Sequence, residues 1–511
     1  MNKYNIQLSV LISILIFSLL YTTAAVLLVS FISPFLMQVA ISAVLFIVYI
    51  NVLKLFLFEL YGVQNTRATE MLMYAVLYLV TFSVLIAHFF IDSVELFSYK
   101  YVRYIMIAFA SIMLFKYFIY MIIGPIYDVL QRIKYEYYFK DKEYNPKISV
   151  IIPAWNEEVG ILNTIESVLK STYRNFEIVV INDGSTDNSD VLIRNYINKL
   201  QQLNKNTIPI IYKYQENAGK GSALNHGIEI SSGDIICTID ADCVVDKHAL
   251  QAVVNTFKDE SVMAGVGNVV IANHSSSIGV VQYLEYLFSF YFKRTDAFFG
   301  SIYIIGGAAG VFRKEVFDKI GGYSTKNMTE DIELSVRIQD AGMKIEYLPD
   351  MIVYTEGASD LAGLKGQRLR WKKGRFQTFI QHRHMFFSLK KHHNKMLTCF
   401  IMPLALLQEV QLLFELPFLF LLYIYSLFNT EFSSLLFAMI VVSSMFVIQF
   451  VFYQKNEKRI SFLLLAPIGW LLFYIATYVE FTALLKTIYT FLKKKDVSWQ
   501  KWERKGIAHI N

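Results

Sequence analysis

The sequence has few cysteines and little excess charge for its length. Three cysteines occur in 511 residues, and Cys237, Cys243 and Cys399 show no spacing that is typical of paired metal ligands. We therefore expect free thiols in a reducing compartment and no disulfide framework. The formal net charge of +6 is small, so the charge balance does not indicate a nucleic-acid partner.

Apolar residues, in contrast, are abundant, and they concentrate near the two ends of the chain. Hydrophobic residues make up 55% of the sequence and the mean hydropathy is +0.41, more than in an ordinary soluble domain. Each apolar stretch reaches the roughly 20 residues that cross a bilayer core. Four stretches precede residue 125 and three follow residue 395: 8–31, 35–58, 71–92, 102–123, 396–428, 432–453 and 460–492. The sequence therefore predicts a multi-pass protein of the cell membrane, in contact with the lipid bilayer.

Basic residues predict which parts of the chain face the cytoplasm. Arg67 lies between the second and third stretches, and several lysines and arginines follow the fourth, so the positive-inside rule places both positions inside. Four spans then leave the amino terminus and the central domain in the cytoplasm. The basic tail from Lys486 to Lys505 should also be inside, whereas three simple spans would place it outside. The number of carboxyl-terminal spans therefore stays open.

The central part of the chain is predicted to be an α/β domain. Apolar, β-branched segments at 148–152, 177–182 and 234–240 alternate with helical patterns, which is typical of a doubly wound, Rossmann-like sheet. Such sheets bind ligands at the carboxyl ends of their strands. We divide the chain into four parts: transmembrane helices at 1–125, a cytoplasmic α/β domain at 126–380, a basic interfacial segment at 381–408, and transmembrane helices with a basic tail at 409–511.

Two acidic clusters follow predicted strands. Asp183 precedes Gly184, which permits a tight turn, and its carboxylate can accept hydrogen bonds from a base or ribose; a plain turn explains the same residues equally well. Asp240 and Asp242 follow a later strand, and residues i and i+2 of an extended segment point to one side. The pair can hold Mg²⁺ or Mn²⁺ on a diphosphate, and its place at a strand end favours this over a solvated loop.

Two further motifs offer a cation and a base. Lys220 lies in a glycine-containing stretch and can act as a point charge on phosphate, although the stretch does not match the phosphate-binding loop of nucleotide hydrolases. Thr329 is predicted to cap a helix whose first turn contains Glu330 and Asp331. An acid of this turn can also serve as the general base that deprotonates an acceptor hydroxyl.

The string Gln367-Arg-Leu-Arg-Trp371 is the most specific motif. The planar donors of Arg368 and Arg370 suit a leaving diphosphate, and the indole of Trp371 offers a face to a sugar ring. A basic helix on anionic headgroups explains the charges from Lys372 onward, but it does not explain this arrangement.

Histidines cluster just after this string. They are His382, His384, His392 and His393. Because no carboxylate or cysteine accompanies them in the sequence, we favour a basic interfacial segment over a metal site.

Taken in order, these motifs resemble the signature of processive family 2 glycosyltransferases, which include cellulose, chitin, hyaluronan and poly-N-acetylglucosamine synthases. The resemblance covers about residues 147–390 and rests on Asp183, the Asp240-Ala-Asp242 and Thr329-Glu-Asp331 triplets, and the string that ends at Trp371. It implies a GT-A fold inserted between transmembrane helices. It also implies a UDP-sugar-dependent hexosyltransferase that inverts the anomeric carbon and makes a β-linked product.

The resemblance also implies a role for each motif residue. On the donor side, it implies contacts of Asp183 with uridine, of Lys220 and Asp240 with the diphosphate, of Asp242 with Mg²⁺ or Mn²⁺, and of Gln367, Arg368 and Arg370 with the leaving UDP. On the acceptor side, it implies Asp331 as the catalytic base and Gly307, Ala308 and Trp371 as contacts of the acceptor sugar.

The leading hypothesis is a processive synthase that polymerises UDP-glucose or UDP-N-acetylglucosamine and translocates the glycan across the membrane. Its expected partners are the UDP-sugar, the growing glycan, the bilayer and an accessory export subunit, with no nucleic acid. No segment resembles the cyclic-di-GMP-binding module of many bacterial cellulose synthases, so a conventional cellulose synthase is disfavoured. Two alternatives stay open: a non-processive enzyme that glycosylates diacylglycerol or polyprenyl phosphate, and a catalytically silent membrane scaffold.

Overall fold

The computed structural model describes most of the chain beyond the predicted amino-terminal spans. The described residues are 119–120, 123–124, 126–128, 130–202, 208–274, 276–429, 469–493 and 506–507. The chain forms two compact units, Met1–Ile133 with Leu419–Leu471 and Lys134–Phe418 with Leu472–Asn511. The second unit contains the α/β domain. The predicted spans at 8–31, 35–58, 71–92 and 432–453 lie outside the described residues, as does nearly all of 102–123.

One half of the sheet consists of parallel strands joined by helices. Its strands are β1 (Ile148–Ala154), β2 (Phe176–Asp183), β3 (Ile210–Gln215) and β4 (Ile235–Thr238), connected by α1 (Ile161–Leu169), α2 (Ser189–Gln202) and α3 (Lys220–Ile230). The order is β3-β2-β1-β4, and every pair is parallel. β1 and β2 are buried almost throughout, as apolar strands covered on both faces should be. The carboxyl ends of these strands therefore meet at one edge, where a ligand can bind.

The other half of the sheet is mixed. Its strands are β5 (Cys243–Val245), β6 (Val262–Ile271), β7 (Gly310–Arg313) and β8 (Lys344–Thr355), and the complete order is β3-β2-β1-β4-β7-β6-β8-β5. β7 runs antiparallel to β4 and β6, β5 runs antiparallel to β8, and β6 and β8 are parallel. The predicted doubly wound arrangement therefore holds only for the first half. An apolar run indicates a buried strand, but the connections decide the strand's direction.

Five further helices complete the α/β domain. They are α4 (Ala249–Phe257), α5 (Ser277–Phe298), α6 (Lys314–Ile320), α7 (Glu330–Asp340) and α8 (Leu361–Gln381). Ser276 and Asp360 cap α5 and α8, each accepting a backbone N–H of the first turn. The cap predicted for α7 is wrong, because the hydroxyl of Thr329 lies 3.3 Å from Asn327 Oδ1 and does not cap the helix.

Two long apolar helices follow. They are α9 (Met402–Asn429) and α10 (Gly469–Leu492), within the predicted stretches 396–428 and 460–492. Among the described residues, one helical segment, Leu397–Pro417, is long and apolar enough to cross a membrane, with a mean hydropathy of 1.7. α10 packs on α8, because Val479 and Leu364 are buried together with Ala358.

The segment 381–408, predicted to lie separately at a membrane interface, falls within the second compact unit. Met385 and His393 are buried. Asn394 donates a hydrogen bond to the carbonyl oxygen of Phe299, at 2.7 Å. This segment therefore contacts the α/β domain, and its predicted position at a membrane interface stays a prediction.

Candidate active site

Two loops at the carboxyl edge of the sheet are joined by hydrogen bonds. Asn156 follows β1 with a left-handed φ of 54°. Its side-chain oxygen accepts the N–H of Thr186 at 2.7 Å, and its own N–H donates to Ser185 Oγ at 2.9 Å. The N–H of Glu157 donates to Ser189 Oγ at 2.9 Å. The polar cluster after β1 therefore fixes the loop that follows β2.

Asp183 ends β2 and is held by donors of the loop after β3. Its carboxylate accepts the N–H groups of Ala218 and Gly219, both at 2.9 Å, and Gln215 Nε2 at 2.7 Å. Gly184 has a φ of +68°, and a Cβ there would lie 2.7 Å from a backbone nitrogen of the facing loop. The segment is thus a turn, and it also orients a carboxylate. An ionised carboxylate has about four acceptor sites, so capacity remains for one ligand donor.

A lysine and two carboxylates meet at the start of α3. Lys220 Nζ lies 2.5 Å from Asp240 Oδ1 and 3.7 Å from Glu330 Oε1. Burial lowers the pKa of Lys220, but the charges of Asp240 and Glu330 outweigh burial and hold that pKa above its ordinary value. Lys220 is therefore a permanent cation at this edge, as a phosphate contact requires. Glu330 belongs to the same cluster and was not predicted from the sequence.

Gly307 lies where the donor-side and acceptor-side groups meet. Its N–H donates to Asp331 Oδ2 at 3.0 Å. A Cβ at Gly307 would lie 2.7 Å from Lys220 Nζ. The same Cβ would lie 3.6 Å from Asp331 Oδ2 and 3.8 Å from Asp240 Oδ1. Four predicted site residues therefore lie together, namely Gly307, Lys220, Asp240 and Asp331. Only a glycine at position 307 leaves the space between the other three open.

Asp331 is half-buried, and the pKa of its carboxyl group is raised. Burial and the neighbouring charge of Glu330 raise the pKa of Asp331 to about 6, against the opposing charges of Lys220 and Arg370. Such a group is ionised at neutral pH and is a stronger base than an ordinary carboxylate. Its position and its proton affinity both suit a general base.

Asp240 and Asp242 lie in a turn between β4 and β5, and the N–H of Cys243 donates to the carbonyl oxygen of Asp240 at 3.2 Å. The prediction that Asp240 and Asp242 lie in an extended segment is therefore wrong. Asp242 is buried and lines a small cleft with Glu157 and Glu356. Carboxylate oxygens are the ligands that Mg²⁺ and Mn²⁺ prefer, so Asp242 has the donor chemistry for the predicted ion.

Helix α8 presents part of its motif towards Asp331. The charge of Arg370 lowers the pKa of Asp331. Gln367 is buried, and its Oε1 makes no hydrogen bond within the described part of the chain. A buried acceptor without a donor is costly, and a ligand hydroxyl would satisfy it.

Trp371, which is predicted to contact the acceptor sugar, is half-buried. The guanidinium carbon of Arg368 lies 4.2 Å from the centre of its ring, and the ring of Tyr286 lies 6.4 Å away. One indole face is therefore covered by a cation, and the contact of Trp371 with an acceptor sugar stays a prediction. Ala308 lies half-buried in the single 3₁₀ turn Gly307–Ala309.

Arg368 and Lys372 belong to a buried ion network between helices. Arg368 lies 2.7 Å from Glu285 of α5 and 3.4 Å from Glu480 of α10. Lys372 lies 2.7 Å from Glu409 of α9 and 2.7 Å from Glu480. These acids occupy the guanidinium of Arg368, so we assign it to the network instead of the predicted contact with UDP.

The same network corrects the view of α8 as a basic helix on lipid headgroups. Lys372 is 6% exposed and is paired with acids of α9 and α10, and Arg375 is also paired with Glu409. The network was missed in the sequence, although a signal existed. Glu409 and Glu480 interrupt apolar stretches, where a charged side chain requires a partner.

Residues 149–321 match the family model for glycosyl transferase family 2. The poly-beta-1,6-N-acetyl-D-glucosamine synthase of Staphylococcus aureus (strain COL) is 33% identical over 279 residues, 53% of this chain and 65% of that protein. The protein of the same name from Staphylococcus epidermidis is 30% identical over 277 residues, 52% of this chain and 64% of that protein. The chain therefore spans just under two thirds of the length of these curated relatives.

Among solved structures, the mannosyltransferase PcManGT from Pyrobaculum calidifontis, in complex with GDP-Man and Mn²⁺, aligns with a TM-score of 0.46 and 16% identity. The alignment covers 77% of this chain and all of that chain. The mixed sheet of the present chain, with its acidic turn after β4, is GT-A-like, as the motifs predicted. Residues 149–321 therefore match glycosyl transferase family 2, the family that the order of the motifs predicted.

Proposed function

We propose that the protein is a processive, inverting glycosyltransferase that polymerises N-acetylglucosamine from UDP-N-acetylglucosamine into a β-linked polysaccharide. The observation that carries this proposal is the convergence of Lys220, Asp240 and Asp331 on Gly307. The names of the staphylococcal relatives, which are poly-N-acetylglucosamine synthases, support the choice of sugar and of a polymeric product.

The acceptor side provides the base for one displacement. Asp331 accepts the proton of the acceptor hydroxyl, and that oxygen forms a bond with the anomeric carbon of the donor. The bond from this carbon to the phosphate oxygen breaks, and UDP leaves with the electron pair. Attack opposite the leaving group turns an α-linked donor into a β-linked product, so one base is sufficient.

The donor side provides positive charge and orientation. Lys220 and Arg370 are the cations placed for the diphosphate, Asp183 is oriented for the uridine, and Gln367 offers a buried acceptor. Mg²⁺ or Mn²⁺ held by Asp242 would offset charge on the leaving diphosphate.

The remaining parts of the proposal concern the acceptor and the membrane. Trp371, Gly307 and Ala308 line the acceptor end. The protein crosses the cell membrane several times, with its catalytic domain in the cytoplasm, and the glycan is translocated through that membrane. The apolar segment Leu397–Pro417 supports contact with a bilayer. An accessory export subunit is proposed as a partner on the far side.

A donor screen on the purified full-length protein tests the proposal. Radiolabelled UDP-N-acetylglucosamine, UDP-glucose and UDP-galactose are each incubated with the protein and Mg²⁺ or Mn²⁺, and products are separated into polymer and organic-extractable glycolipid. We expect polymer from UDP-N-acetylglucosamine that a β-specific N-acetylglucosaminidase degrades. A glycolipid as the sole product, or consumption of another donor alone, would contradict the proposal.

A further inference from the structure

Three histidines and an aspartate meet at the ends of α7 and α8, away from the site described above. Asp340 is the last residue of α7, and His382 follows the last residue of α8. His384 Nε2 lies 2.9 Å from Asp340 Oδ2, and His393 Nε2 lies 3.0 Å from Asp340 Oδ1. His382 Nδ1 lies 3.8 Å from Asp340 Oδ2. The fold therefore supplies the carboxylate that the sequence around the histidines lacks.

One ring nitrogen of His382 makes no hydrogen bond within the described part of the chain. The residue is 5% exposed, and its Nδ1 makes no hydrogen bond to any residue that the structure describes. Its Nε2 lies 3.3 Å from Glu333 Oε1. A proton on Nε2 that is donated to Glu333 leaves a lone pair on Nδ1, on the side of Asp340. A buried lone pair without a donor is unfavourable, and a cation satisfies it.

The second nitrogen of His393 is also occupied. Its Nδ1 lies 2.8 Å from Ser388 Oγ, which leaves Nε2 directed at Asp340. A partner on the far nitrogen fixes the tautomer and orientation of an imidazole ligand, as protein metal sites usually require. His382 and His393 therefore each have a partner on the ring nitrogen that would face away from a metal ion.

We propose that Asp340, His382 and His384 bind a divalent transition-metal ion, Zn²⁺ first among them, with His393 as a neighbouring fourth ligand. One ligand atom from each of the first three residues lies within 4.8 Å of the others. Imidazole and carboxylate ligands suit Zn²⁺, whereas Mg²⁺ prefers oxygen ligands only. The side chain of His384 is 46% exposed, which gives an ion an entry path from solvent.

The position of the site indicates a structural role. α7 begins with the residues around Asp331 and ends at Asp340, about 14 Å away at 1.5 Å per residue. α8 contains the Gln367 to Trp371 string and ends next to His382. An ion bound at this point ties together the two helices that hold the base and the cations of the donor side. It would act by positioning these helices, because it lies too far from Asp331 to touch the substrate.

Metal analysis of the full-length protein tests the proposal independently of catalysis. The protein is purified without a polyhistidine tag, equilibrated with Zn²⁺, exchanged into metal-free buffer and analysed by mass spectrometry for zinc per chain. We expect about one zinc ion per chain, and at least a tenfold loss of affinity in His384→Gln and Asp340→Asn. His384 is half-exposed, so its variant should fold, and an unchanged melting midpoint without metal checks this. His392→Gln, in the same segment, is the matched control and should retain the ion.

The second readout is thermal stability. Zn²⁺ should raise the melting midpoint of the wild-type protein by several degrees, and Mg²⁺ should not. Equal zinc binding by wild type and His384→Gln, or no zinc in the wild type, would overturn the proposal. Neither result bears on glycosyl transfer, so the failure of this site and the failure of the proposed function are distinguishable.

Discussion

The carboxyl edge of the sheet and helix α8 hold their charges in different ways. At the edge, backbone N–H groups hold Asp183 and Asp331, so the positions of these carboxylates follow from the strands and turns themselves. On α8, side chains from three other helices hold Arg368 and Lys372. The first region therefore depends on the loops of the α/β domain, whereas the second depends on α5, α9 and α10 being in place.

This difference separates residues that act on the substrate from residues that place α8. Removal of an edge residue should reduce turnover and leave the fold intact. Removal of a network residue should reduce stability first, and turnover as a consequence. Four predictions follow this division, in order of expected size.

The largest effect is expected at the base. Asp331→Asn keeps the shape of the side chain but cannot accept the proton, so kcat should fall by about 10²- to 10⁴-fold. UDP binding, measured by calorimetry, should change little. Asp318→Asn removes an exposed carboxylate on α6 and is the matched control. An Asp331→Asn enzyme with wild-type kcat would contradict the assigned role.

The next effect is expected at the ion network. Glu480→Gln removes one of the two carboxylates that face each of Arg368 and Lys372. Each cation keeps one acid, so the cost should be about 2 kcal/mol, less than for a buried charge left without a partner. The melting midpoint in detergent should fall by several degrees. Glu315→Gln breaks an exposed pair with Lys319 and should cost under about 0.5 kcal/mol. Equal shifts in the two variants would remove the distinction between the regions.

A smaller effect is expected at Gly307. The added methyl of Gly307→Ala would lie 2.7 Å from Lys220 Nζ, and the end of this flexible side chain can move away. We expect kcat/KM to fall about tenfold, which corresponds to the 1–3 kcal/mol typical of overpacking. Gly306→Ala has nothing within 4 Å and is the control. Unchanged kinetics in both variants would show that the space around Gly307 is not used.

The smallest effect at neutral pH is expected from titration of the base. The pKa of Asp331 is raised to about 6, and only the deprotonated form can act as a base. Activity should therefore be constant above pH 7 and be lost as pH falls through about 6, reaching about tenfold lower kcat/KM at pH 5. The melting midpoint at each pH serves as the check on folding. A flat profile down to pH 5 would exclude this ionisation from the reaction.

The edge of the sheet could be predicted from the sequence because its signals are local. The segments 148–152 and 177–182 correspond to β1 and β2, and Asp183 lies where β2 stops. The antiparallel strands could not be predicted, since burial does not encode direction. The turn at Asp240 was predicted as an extended segment, because the sequence around Asp240 and Asp242 does not show where the preceding strand ends.

The pairings within the α8 network and the histidine cluster could not be predicted because the partners are distant in sequence, although Glu409 and Glu480 indicated that some partner was needed. Arg368 is paired with an acid of α10, and His384 with the last residue of α7. The sequence predicted Arg368 and Arg370 as equivalent contacts of the diphosphate, because nothing in the string shows that acids of other helices face Arg368. Only the packing of the helices decides which of these charges meet.

Product length at low conversion tests the central claim most directly. The purified protein is given a large excess of UDP-N-acetylglucosamine, and the reaction is stopped when about one percent of the donor has been consumed. A processive enzyme should already have made long chains, with unused acceptor remaining and few intermediates between them. A distribution that starts with single-sugar products and lengthens evenly with time would contradict processive synthesis.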